Sequence, residues 1–171
     1  MKLSVVYDSR SGNTRQAAEW IVEGMSAVPG VDARAFYIRA VDEDFVKASK
    51  GVVIGSPSYC ALMTPDMRTW LLERAMHLGL EGKLGGAFAT AQYTHGGGEL
   101  VVQQILTNEL CYGMLCYSSG GEYGLPYIHV GPVAVNGNME SHNSLDLYKD
   151  TFAIFGNRFA RKAAELFGDR E

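Results

Sequence analysis

The chain of 171 residues is long enough for one domain with a substantial core and only marginally for two, so residues 1–171 are read as a single domain. Hydrophobic residues at 47% and charged residues at 20% exclude a disordered or fibrous chain. The net charge of -4 supplies no basic field for nucleic acid, and it is less acidic than expected of a carrier that docks by charge alone.

The opening "MKLSVVYDSRSG" carries one lysine and a strand-length apolar stretch without a cleavage site, so it reads as the start of the fold and not as a signal peptide. Residues 2–7 form a short apolar run centred on Val5 and Val6, the mark of a buried strand. From Asn13 to about Ala27, apolar positions Ala17, Ala18, Ile21, Val22 and Met25 recur at helical spacing until "VPG" breaks them. Residues 32–38 alternate as a second strand, and "DEDFVKAS" is a short amphipathic helix. "GVVIG" at 51–55 is another buried strand.

Thr64 and Pro65 read as the N-cap and first position of a helix running through about Leu78. "LGGAFATA" at 84–91 is a strand of small residues, suited to close packing or to backbone approach by a ligand. A helix from Glu99 to Leu110 and a strand from Met114 to Tyr117 follow. Residues 120–143, rich in Gly, Pro, Asn and His, receive no element, and "LDLYKDTFAIFGNRFARKAAELF" is a long amphipathic helix. No apolar run approaches the roughly 18 residues of a membrane span.

Strands alternating with helices argue for an α/β fold, a doubly wound parallel sheet covered on both faces. Ligands in such sheets sit beyond the carboxyl ends of the strands. Cys60, Cys111 and Cys116 are odd in number and lack metal-ligand spacing, which predicts a reduced, cytoplasmic setting and no metal.

Three strand-end loops carry unusual residues: 9–14, 56–63 and 90–98. In "SRSGNT", a helix start offers unpaired amides and a partial positive charge. Ser9, Ser11 and Thr14 add hydroxyls, Gly12 lets the backbone wrap, and Arg10 is the lone basic group. Neither GxxxxGK[ST] nor GxGxxG is present, so a small phosphate monoester fits better than a triphosphate or dinucleotide. The plainer alternative is that Asn13 or Ser11 caps the helix.

The spacing S-x-S-G-N-T resembles the phosphate loop of the flavodoxin superfamily, [ST]-x-[ST]-G-[NH]-T. That resemblance implies a flavodoxin-like, five-stranded parallel sheet of order 2-1-3-4-5 and an FMN cofactor, its 5′-phosphate held by Ser9, Arg10, Ser11, Gly12, Asn13 and Thr14. "GSPSYCALMTPDMRTWL" (55–71) resembles the NAD(P)H:quinone oxidoreductase branch of the Trp-repressor-binding-protein type, with Gly55, Ser56, Pro57, Ser58, Met63, Met67, Arg68, Thr69 and Trp70 in step. The branch implies that Ser58, Tyr59 and Cys60 line the flavin ring, with Pro57 and Ala61 beside them among the cofactor-binding residues. Tyr59 and Cys60 stand where the branch has arginine and phenylalanine. Trp70 and Leu71 read as core, Cys60 as a small space-filler, and Arg68 as a solvated or interface charge.

"FATAQYTHGGGE" (88–99) resembles the branch's F-[AT]-S-T-G-[ST]-x-GGG-Q-E loop, which implies that Thr90, Ala91, Gln92, Tyr93, His95, Gly96 and Gly97 grip the pyrimidine edge and ribityl chain. One inserted residue is needed to align 92–95. His95 has three readings: a solvent-facing loop residue, a donor to the flavin's carbonyl edge, or a proton source for a bound quinone. In "ELCYGM", Cys111 and Tyr112 replace the branch's histidines, so Tyr112 supplies a hydroxyl to the site or that contact is lost.

The function this implies is an FMN-dependent oxidoreductase passing electrons from NAD(P)H to a quinone-like acceptor, with Tyr59 and His95 as the catalytic candidates. The alternative is a flavodoxin-type electron carrier without its own substrate, Tyr59 and Tyr93 covering the ring. A homodimer or homotetramer is implied as well, its candidate contact the 120–143 stretch with Tyr123, Tyr127 and Ile128.

Overall fold

A computed structural model describes residues 1–137 and 144–168. β1 (Lys2–Tyr7) lies between β2 (Asp32–Tyr37) and β3 (Gly51–Pro57), and β4 (Leu84–Ala91) pairs with β3, every pairing parallel. The outer edge of β4 is shared: Leu84 and Gly85 pair with β5 (Leu115–Cys116), whereas Ala89, Thr90 and Ala91 pair with β6 (Val133–Val135). The order is therefore 2-1-3-4-5, as expected, with a sixth strand extending the fifth position.

Four boundaries differ from the sequence reading. β3 runs on to Pro57 because Ser56 and Pro57 still have partners in Ala89 and Thr90. The helix from Pro65 (α3, Pro65–Glu73) ends five residues early, at Arg74 with φ -117°, and a 3₁₀ turn over Ala75–His77 completes the span. The edge strand keeps two residues instead of four, and β6 lies in the stretch left without an element. The last helix (α5, Lys149–Phe167) starts after a separate 3₁₀ turn at Leu145–Tyr148, where Ser144 Oγ accepts from the Asp146 amide.

Alternation along β1 sets the layers. Val5 faces a core with Ile21 of α1 (Asn13–Ser26) and Phe152, Phe155 and Phe159 of α5. Val6 faces Met67 and Leu71 of α3 and Val102 and Ile105 of α4 (Gly98–Cys111). α2 (Glu43–Ala48) is capped by Asp42, whose carboxylate accepts from the Phe45 amide. No helix among the described residues is long and apolar enough to cross a membrane.

α1 and α5 touch backbone to backbone. A Cβ on Gly156 would lie 2.1 Å from the Ile21 carbonyl oxygen, and one on Gly24 1.8 Å from that of Ala153. Gly156→Ala is expected to destabilise the protein by about 2 kcal/mol despite its better helix propensity, read as a lower urea midpoint at unchanged slope.

The excursion between β5 and β6 is held from beneath by Arg158 of α5. Its guanidinium donates to Ser119 Oγ and to the carbonyls of Tyr123, Leu125 and Pro126, and stands 5.4 Å from the Tyr123 ring centre. Tyr123 and Tyr127 are exposed here, but Ile128 is buried in the core, since its bridge to Gly120 turns it inward.

Candidate functional site

The turns after β1, β3 and β4 meet at the carboxyl edge of the sheet around a cleft of about 480 Å³. Ser11 and Asn13 line it from the first turn, Pro57, Ser58 and Tyr59 from the second, and Thr90, Ala91 and Gln92 from the third. Asn136, just past β6, lines it as well. None of these nine side chains is charged, so selectivity in the cleft rests on neutral donors and acceptors.

The first turn organises itself. Ser9 Oγ accepts from the amides of Gly12 (3.2 Å) and Arg15 (3.3 Å), so Ser9 acts within the turn. Gly12 caps α1 at φ 94°, a left-handed backbone that glycine adopts without strain, and no side chain caps the helix. The first turn of α1 holds no acidic residue, and the amides of Ser11, Asn13 and Thr14 have no protein partner among the described residues. Free amides at the positive end of a helix, with hydroxyls beside them and no carboxylate in that turn, suit a phosphoryl group. FMN's terminal phosphate fits this donor set.

Buried hydroxyls of Thr14 and Thr90 bond at 2.8 Å and tie this turn to β4. Asn136 Nδ2 donates to Asn13 Oδ1 at 3.2 Å while its amide donates to the Ala91 carbonyl. The Arg10 guanidinium stands 5.3 Å from the Tyr59 ring centre, which joins the first two turns across the cleft mouth.

The second turn is tight. Tyr59 and Leu62 exchange backbone hydrogen bonds at 2.9 and 3.1 Å around Cys60 (φ 52°) and Ala61 (φ 63°), two non-glycine residues in the left-handed region. Ser58 Oγ donates to the Gly96 carbonyl (2.6 Å) and the Ser58 amide to that of Thr90 (2.7 Å), fastening the second turn to the third. A Cβ on Gly97 (φ 76°) would come within 2.4 Å of Ala61 Cβ, so this glycine is needed on both counts. Beneath the turn, Thr64 Oγ1 donates to Asp8 Oδ2 (2.5 Å) and accepts from the Met67 amide, capping α3. Asp8 is buried, and its Oδ1 has no partner among the described residues.

Tyr59, 45% exposed, lines the cleft and is free to cover a planar ligand there; Tyr93 is 38% exposed and lies outside the lining. Cys60, Gln92 and His95 are exposed. Cys60 does not fill space, because the left-handed turn throws it outward. Ala61 and Gly96 are partly buried in loop-to-loop contacts, and Trp70 and Leu71 are core as expected. Tyr112 does not reach the cleft. Its hydroxyl donates to the Leu71 carbonyl (2.7 Å) from the far end of α4.

Asp8 and Asn136 escaped the sequence reading. Asp8 adjoins the "SRSGNT" turn and breaks an apolar strand end, a signal that was available; Asn136 follows a three-residue strand that leaves no pattern.

No family model matches the chain. It is 34% identical to a flavodoxin of Clostridium saccharobutylicum over 98% of this chain and 100% of that one. It is 28% identical to an NAD(P)H dehydrogenase (quinone) of Cupriavidus metallidurans, over 79% and 76% of the two chains. Among solved structures, a flavodoxin, WrbA-like protein from Agrobacterium tumefaciens superposes at a TM-score of 0.76 and 20% identity, covering 96% of this chain and 98% of that one; this likeness is one of fold.

Proposed function

The chain belongs to the flavodoxin family of FMN-binding flavoproteins, and from that premise we propose that it is an electron carrier whose FMN exchanges electrons with protein partners. The observation that carries this reading is the cleft itself: unpartnered amides at the start of α1, a half-exposed Tyr59 in its lining, and no charged lining residue among the described residues.

FMN, when bound, supplies the electron chemistry; the protein fixes the ring and sets its surroundings. The amides of residues 11, 13 and 14 and the Ser11 hydroxyl bind the terminal phosphoryl oxygens. Tyr59, with Tyr93 from the neighbouring turn, would shield the ring from water, and the backbone of 58 and 90–92 would offer it polar groups. His95 is exposed and is not among the residues lining the cleft, which favours its reading as a solvent-facing loop residue. The three free cysteines are in keeping with a reducing, cytoplasmic setting.

The second reading, an NAD(P)H-dependent quinone reductase with self-association, has support from the Cupriavidus relative and from the motifs in the second and third turns. Anaerobic mixing of FMN-loaded protein with NADPH and with NADH separates the two. A carrier keeps its visible flavin absorbance for minutes with either nucleotide and loses it with dithionite. Bleaching by a nucleotide within seconds, reversed by a quinone, would replace the carrier reading with the enzymatic one.

A further inference from the structure

The turn over Cys60 and Ala61 is held against its own preference. Two left-handed residues between reciprocally bonded neighbours make the geometry that Asn-Gly adopts readily, yet both positions here carry a Cβ that crowds the following carbonyl. What holds it comes from another element. Gln104 of α4 donates from Nε2 to the Ala61 carbonyl (3.0 Å) and accepts at Oε1 from the Met63 amide (3.1 Å), so one carboxamide grips the chain on both sides of Leu62.

We propose that Gln104 is a positioning residue for the flavin site: its two hydrogen bonds keep the 59–62 turn left-handed and thereby hold Tyr59 over the cleft. The inference rests on the FMN reading of that cleft. A carboxamide meets both requirements, because the Ala61 oxygen needs a donor and the Met63 amide needs an acceptor, whereas a carboxylate lacks the donor and an alkyl chain lacks both. The consequence extends to the third turn, since Ala61 Cβ lies against the bare α-carbon of Gly97 and Ser58 holds the Gly96 carbonyl. Gln104 makes no hydrogen bond to the first turn, so its main effect falls on the ring side of the ligand.

The test compares FMN and riboflavin, which share the ring and differ in the phosphate. In fluorescence-quenching titrations of the full chain, Gln104→Leu is expected to bind both flavins about tenfold more weakly with their ratio unchanged, the order expected for two lost hydrogen bonds. The Met63 amide loses its protection from hydrogen exchange in the same variant. Adding Ala61→Gly, which removes the Cβ that opposes a left-handed backbone, restores most of the lost affinity. Affinities within twofold of the parent, a loss for FMN alone, or no restoration by the glycine would each overturn the assignment. If the leucine variant does not fold, Gln104→Glu reads the same effect, because it keeps the Met63 acceptor and sets an oxygen against the Ala61 carbonyl. Failure of the parent protein to bind either flavin would instead remove the FMN reading.

Discussion

Asn13→Asp weakens FMN binding roughly a hundred- to a thousandfold, leaves riboflavin binding within twofold, and raises the melting temperature of the flavin-free protein. The substitution is isosteric and keeps the acceptor for Asn136 Nδ2. In the free protein a carboxylate enters a first helical turn that has none, worth about 0.3–1 kcal/mol with the helix dipole. Against a bound phosphate the same charge is repelled: at roughly 5 Å and an effective dielectric of about 20, each phosphate charge costs on the order of 3 kcal/mol. Fluorescence titration and thermal melting read the two opposed effects. An equal loss for riboflavin would mean that the first turn faces something other than a phosphoryl group.

The second large effect concerns Glu109, deep in the layer beneath α4. Val101, Val102 and Ile105 form the buried stripe of that helix, and Glu109 occupies its next position, fully buried. Gly85 makes room for it: a Cβ there would sit 2.6 Å from Glu109 Oε2. Oε2 accepts weakly from Cys116 Sγ (3.7 Å), and Oε1 has no partner among the described residues. Burial pushes the Glu109 carboxyl up to about 8. The Cys116 thiol, pushed up to about 12 by burial and by the neighbouring carboxyl, stays protonated.

In the unfolded chain Glu109 releases its proton near 4.5, whereas in the folded chain it keeps it to about 8. Its contribution to stability is therefore complete below pH 4.5, falls steadily as pH rises through the folded value, and is level above it. The loss is on the order of 5 kcal/mol. A carboxamide cannot ionise, so Glu109→Gln is expected to match the parent at pH 5 and to exceed it by most of that amount at pH 8. Urea midpoints of both proteins across this range measure it. Parallel pH profiles would mean that Glu109 is charged in the fold.

What could be read from the chain divides by length of pattern. β1, β3, β4 and the long helices announced themselves because each repeats its apolar period several times, and the "SRSGNT" turn because hydroxyls cluster where a strand meets a helix. The outer edge did not. An excursion from 117 to 132 cuts it into pieces of two and three residues, too short for any alternation, and Asn136 was lost with them. Cys60 was misjudged because left-handed backbone at non-glycine residues has no signature in composition. The role of Gln104 depends on α4 lying beside the second turn, a tertiary fact. Glu109 was legible in principle, since it falls on the apolar stripe four residues after Ile105.

Because the excursion leaves β4 and rejoins the same flank, its contour length has no bearing on ladder register on either side. The clamp of carbonyls around Arg158 and the bridge between Gly120 and Ile128 fix where it departs and returns, while Glu122 at its crest faces water. That crest is thus a ready port for grafted cargo: an epitope tag or a surface-tethering peptide spliced there would leave both halves of the edge in place.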